Sequence, residues 1–75
     1  MWVLGAEEDV AVNLDTGITI ECVHEVPLTL LYVNEIEVFS GLPEDCEKVM
    51  KQLIQEAGDS LVHVTDDGKI EFVHN

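Results

Sequence analysis

Apolar and polar residues alternate with a period of two over most of the chain, and the interruptions carry Gly, Asp, Asn or Pro, which predicts short strands joined by turns. Trp2 to Leu4 is a short strand, followed by the acidic loop Glu7-Glu8-Asp9. From Val10 to Cys22 a hairpin is expected around Asp15-Thr16-Gly17 with Gly17 left-handed. That loop pairs Leu14 with Ile18, Val12 with Ile20 and Val10 with Cys22, and turns Ala11, Asn13, Thr19 and Glu21 to the other face.

After a turn at His24-Glu25-Val26-Pro27, a second hairpin is expected from Leu28 to Ser40 with Asn34-Glu35 at its tip. Val33 then faces Ile36 and Leu31 faces Val38 on one side, while Tyr32 faces Glu37 and Leu30 faces Phe39 on the other. A third hairpin, Ser60 to Thr65 and Lys69 to His74, turns at Asp66-Asp67-Gly68. A three-residue loop with Gly68 left-handed sets Val64 opposite Ile70 and Val62 opposite Phe72. The competing two-residue turn would mix the faces, so the first register is expected. Its outer side pairs His63 with Glu71, Thr65 with Lys69 and Leu61 with Val73.

The periodicity changes once. From Pro43, a favoured first helical residue, Cys46, Val49, Met50, Leu53, Ile54 and Ala57 recur at helical spacing, Glu44 and Asp45 suit the positive end of the dipole, and Gly58 suits the stop. Residues 1–75 thus predict one α+β domain of order β-β-β-β-β-α-β-β. It is a single-layer antiparallel sheet of hairpins with one amphipathic helix on one face.

Charge narrows the functional classes. Sixteen Asp and Glu stand against three Lys and no Arg in 75 residues, a net charge of -13, yet 47% of the residues are apolar, so the chain has the material for a core. Direct nucleic-acid binding needs clustered basic residues, and an anionic membrane surface would repel this chain. No apolar run is long enough to span a bilayer, and the N-terminus lacks a basic export region, which predicts a cytoplasmic protein. Cys22 and Cys46 read as reduced core residues.

Candidate chemistry is sparse. Cys22, His24, Glu25, His63 and His74 are ligand types, but their spacing matches no metal motif, and a His63–Glu71 pair has only Thr65 as a nearby hydroxyl. No catalytic group, cofactor or metal site is expected, and the protein reads as non-enzymatic. The acids that stand out are Glu21, Glu37 and Glu71, expected on strands facing away from the helix, with Glu35, Asp66 and Asp67 at hairpin tips. Carboxylates two residues apart on a strand lie about 6.5–7 Å apart, close to the phosphate spacing of a nucleic-acid strand. Such an array suits an Arg- and Lys-lined groove, with Tyr32 and Phe39 as aromatic anchors. An outward apolar set of Leu30, Tyr32, Phe39, Leu61 and Val73 suggests instead a homodimer patch.

The opening Met1-Trp2-Val3-Leu4, then Ala11-Val12-Asn13-Leu14-Asp15 and Ile18, followed by short strands and one helix, resembles small proteins of Gram-positive phages and prophages over the first quarter of the chain. The resemblance implies an inhibitor of host defences, anti-CRISPR proteins among them, of which several mimic DNA, and a site of action in the host cytoplasm. The expected function is a non-enzymatic acidic inhibitor occupying the basic nucleic-acid groove of a host defence enzyme. The alternative is a small homo-oligomeric structural or ligand-sequestering protein using the apolar patch.

Overall fold

A computed structural model describes residues 1–73. Its elements are β1 (Trp2–Leu4), β2 (Val10–Asn13), β3 (Thr19–His24), β4 (Thr29–Val33), β5 (Ile36–Gly41), α1 (Pro43–Glu56), β6 (Leu61–Val64) and β7 (Ile70–Phe72). The fold is α+β, with α1 packed on a seven-stranded sheet of order β5-β4-β3-β2-β1-β6-β7. All neighbours are antiparallel except β1 and β6, which run parallel with Trp2 beside Leu61. The expected all-antiparallel sheet is therefore mixed: the helix occupies the crossover and returns the chain to the free edge of β1.

One continuous core joins the sheet to the helix. Leu4, Leu31, Cys46, Met50 and Ile54 are at most 1% exposed, with Trp2, Ile20, Cys22 and Leu61 close behind. The helix buries Cys46, Met50 and Ile54 and half-buries Val49. Leu53 and Ala57 are exposed, so its buried stripe is narrower than the apolar pattern. Gly58, at φ +74°, ends the helix and donates its N–H to the Gln55 carbonyl. Trp2 Nε1 is buried without a hydrogen-bond partner, a penalty of about 1–3 kcal/mol. Burying the ring returns about 4–6 kcal/mol, which exceeds it.

The structure departs from the expected arrangement in each of the three hairpins. In the first hairpin the pairs are Val10–Glu21, Ala11–Ile20 and Val12–Thr19, one residue away from the expected register. Asn13 causes the shift: its Oδ1 accepts from the backbone N–H groups of Asp15 (2.9 Å) and Thr16 (3.0 Å), and its Nδ2 donates to Asp59 Oδ2 (3.0 Å). The loop thereby lengthens to Leu14–Gly17, leaving Leu14 exposed and turning Ala11 and Asn13 into the core. In the second hairpin Val33–Ile36 and Tyr32–Glu37 pair as expected. A bulge then sets Leu31 opposite Phe39 and Leu30 opposite Ser40, so Phe39 packs toward the core.

In the third hairpin the pairs Val62–Phe72, His63–Glu71 and Val64–Ile70 and the left-handed Gly68 are as expected, but the faces are reversed. The parallel β1–β6 register places Leu61 and His63 on the side of Trp2 and Leu4. Leu61 and Val73 therefore belong to the core rather than to an outward patch, and Glu71 lies on the helix side, exposed on the edge strand. His74, the expected end of this hairpin, lies outside the described residues.

Candidate functional site

The outer face, opposite the helix, divides into two halves of different chemistry. Across β3, β4 and β5 the register aligns Glu21, Tyr32 and Glu37 in one lateral row. With strands about 4.8 Å apart, the two carboxylate-bearing positions lie about 10 Å from each other with the half-buried Tyr32 between them. Along this row an open trough of about 670 Å3 is lined by Thr19, Glu21, Val23, Tyr32, Asn34 and Glu35.

The end of the trough is fixed by the hairpin tip. Asn34 and Glu35 have φ of +48° and +71°, the positive pair of a type I′ turn. Asn34 N–H donates to the Thr19 carbonyl (2.9 Å), and its Oδ1 accepts from Thr19 N–H (2.9 Å), tying the tip to β3. Asn tolerates the left-handed region because its short amide can bond locally, whereas Glu gains nothing there and Gly is the usual occupant. Glu35 keeps its carboxylate at the mouth of the trough in spite of the backbone it must adopt.

The other half, β2, β1, β6 and β7, carries no charge on its outer side. The outward positions are Val10 and Val12 on β2, Val3 on β1, Val62 and Val64 on β6, and Ile70 and Phe72 on β7. Ile70 and Phe72 are 68% and 67% exposed, whereas Val62 is 5% exposed within the row that runs Val12, Val3, Val62, Phe72.

The expected acidic array is therefore divided. Glu21, Tyr32, Glu35 and Glu37 come together, with Leu30 outward and half-buried beside Val23. Asp66, Asp67 and Glu71 lie at the opposite end of the sheet, and Phe39 faces the other way. Asp67 is engaged within its own turn: it accepts the Thr65 hydroxyl, which holds its carboxyl below the usual range, and lies 3.6 Å from Lys69 Nζ. Lys51 Nζ is 3.4 Å from Glu8 and 3.6 Å from Glu47, exposed pairs of small energetic weight. Thr19, Val23 and Asn34 had no distinguishing signal before the register was known. Only the Asn-initiated two-residue turn hinted at the third.

The metal-ligand and acid–base candidates are dispersed. His24 Nδ1 lies 3.0 Å from Thr29 Oγ1, and His63 Nε2 lies 3.3 Å from the Ala6 carbonyl oxygen. Cys22 and Cys46 are buried free thiols, and Cys46 donates to the Thr29 carbonyl at 3.3 Å. Burial pushes the Cys22 thiol up to about 11, and it raises Cys46 as well. Among the described residues no three His, Cys, Asp or Glu side chains gather around a common point, and no helix is long and apolar enough to cross a membrane. No protein-family model, curated protein or solved structure matches this chain.

Proposed function

We propose that this chain is a non-enzymatic binding protein whose acidic trough occupies the basic, nucleic-acid-binding groove of another protein. The observation that carries the reading is Glu35, a left-handed glutamate held beside the row Glu21, Tyr32, Glu37. Strained backbone conformations persist where surrounding structure enforces them and concentrate at functional sites. The chemistry matches an arginine or lysine side chain of the partner: its cation stacks on Tyr32, and carboxylates on either side accept its N–H groups. The one-signed charge of -13 adds long-range attraction to a basic cleft. The phage resemblance points to a host defence enzyme as the partner, with inhibition arising because DNA or RNA and the trough compete for the same groove. The site of action is then the host cytoplasm.

Immobilised protein is exposed to lysate of a native host, and the captured proteins are challenged with double-stranded DNA and RNA. The reading expects nucleic-acid-binding proteins, displaced by nucleic acid and by salt. The double variant Glu21→Lys, Glu37→Lys should weaken capture at least about tenfold, a loss of about 1.4 kcal/mol. Undiminished capture by that variant, or partners that nucleic acid does not displace, would sink the proposal.

A further inference from the structure

The row that borders the trough ends at an open sheet edge, and the residue at their junction is Glu37. β5 closes the sheet on this side. Val33 and Ile36 flank the two-residue turn, so they form the hydrogen-bonded pair that closes the hairpin. Bonded and non-bonded pairs alternate along an antiparallel ladder, which makes Tyr32–Glu37 a non-bonded pair. The N–H and C=O of Glu37 therefore point away from β4 toward solvent, and no loop or turn among the described residues takes them.

Sheet edges are commonly shielded by Lys, Pro, a bulge or a covering loop. β5 contains neither Lys nor Pro, and Ile36 and Val38, 67% and 50% exposed, show that α1 leaves the edge uncovered. The bulge leaves Val38 without a partner on β4, so it disrupts the edge beyond Glu37 and spares Glu37 itself. A residue of an antiparallel strand added at Glu37 exchanges both main-chain bonds with it, its Cα about 5.5 Å away and its side chain on the same outer face. Charge then selects the occupant, because opposite charges attract across such a pair and like charges repel. A second copy joined at this point sets the two Glu37 carboxylates against each other. Arginine or lysine instead extends the row Glu21, Tyr32, Glu37 with a cation. The residue that follows it lies beside Ile36, which shares the core side of the sheet with Val33, and an apolar side chain there covers Ile36.

We propose that an extended basic segment of the partner adds to β5 as an eighth strand, with arginine or lysine opposite Glu37 and an apolar residue next after it. The inference rests on the reading of the trough as a site for a basic protein, and it adds main-chain bonding that the trough alone does not use.

The probe is a peptide of about eight residues alternating arginine with valine, with a second copy N-methylated at every arginine amide. Methylation keeps the charge and removes the donors that face β5. With about 1 mM peptide, nuclear magnetic resonance of the labelled protein should show exchange of the Glu37 amide slowed at least about tenfold. The N-methylated copy should bind at least about tenfold more weakly. Glu37→Gln and Glu37→Pro remove the same charge, but only the second removes the outward N–H, at an edge position where Pro is tolerated. Glu37→Pro should therefore bind the peptide several-fold more weakly than Glu37→Gln. Circular dichroism checks folding, and should Glu37→Pro unfold, the N-methylated peptide decides. Equal binding by the two peptides, or by the two folded variants, overturns the added strand. A peptide that shifts the Glu21 and Tyr32 amides yet leaves Glu37 exchange unchanged also overturns it, while the trough reading stands. A peptide that does not bind overturns the added strand as well, and the trough is then judged by the capture experiment alone.

Discussion

Replacing Glu35 by glycine isolates the energy stored in the hairpin tip. Glu35 has φ +71° in a two-residue turn where both central residues are left-handed. An L-residue in that region costs about 1–2 kcal/mol, which Glu35→Gly removes. Glycine returns about 0.4–1 kcal/mol of disorder to the unfolded chain. The net expectation is about 0.5–1 kcal/mol of stabilisation, or a rise in Tm of about 2–8 °C for a domain of this size. Glu35→Ala is the necessary control, since it deletes the same charge but keeps a Cβ at the strained position and should melt near the wild type. Thermal unfolding followed by circular dichroism at fixed pH and salt reads all three proteins. If Glu35→Gly is no more stable than Glu35→Ala, the left-handed backbone carries no penalty and the functional weight placed on Glu35 falls with it. If Glu35→Gly is more stable and also captures less of the basic partner, the carboxylate is retained at the expense of the fold.

Asn13→Ala should cost about 2 kcal/mol, because it strips two backbone N–H groups of their acceptor and breaks the link to Asp59; a loss under 0.5 kcal/mol in urea unfolding would refute its role in setting the hairpin register. The Cys22 thiol is raised from 9.0 to about 11 by burial, so folding favours its protonated form. That contribution is complete below pH 9 and is lost as pH climbs toward about 11, so the urea midpoint should fall across this window in the wild type and less so in Cys22→Ala. Equal slopes in the two proteins would rule the thiol out.

Local chemistry made the elements legible, and distant pairing concealed the faces. Pro43 and Gly58 bracket the helix, and Gly68 sets the third turn, because each acts on its own few residues. The first hairpin departs from its expected register because the side chain of Asn13, rather than Gly17, decides the loop length. Phe39 faces the core because a bulge shifts the strand after Tyr32–Glu37, with no glycine in the sequence to mark it. For Leu61, Val73 and Glu71 the pairing was right and the side wrong. The side depends on β6 joining β1 in parallel, a contact across most of the chain that no turn residue announces. Consequently the trough was half visible, in Glu21, Tyr32, Glu35 and Glu37, while the acid-free face was not.

The parallel β1–β6 pair also governs the order in which the protein can be made. β1 lies inside the finished sheet, yet its partner Leu61–Val64 leaves the ribosome roughly 60 residues later, an interval of about 3–12 s at usual rates of synthesis. Until then β1, β2 and β3 can form a meander whose exposed rim is the apolar run Trp2-Val3-Leu4. The nascent chain is thus most vulnerable to association along β1, and the pairing of β6 with β1 is the event that removes that hazard.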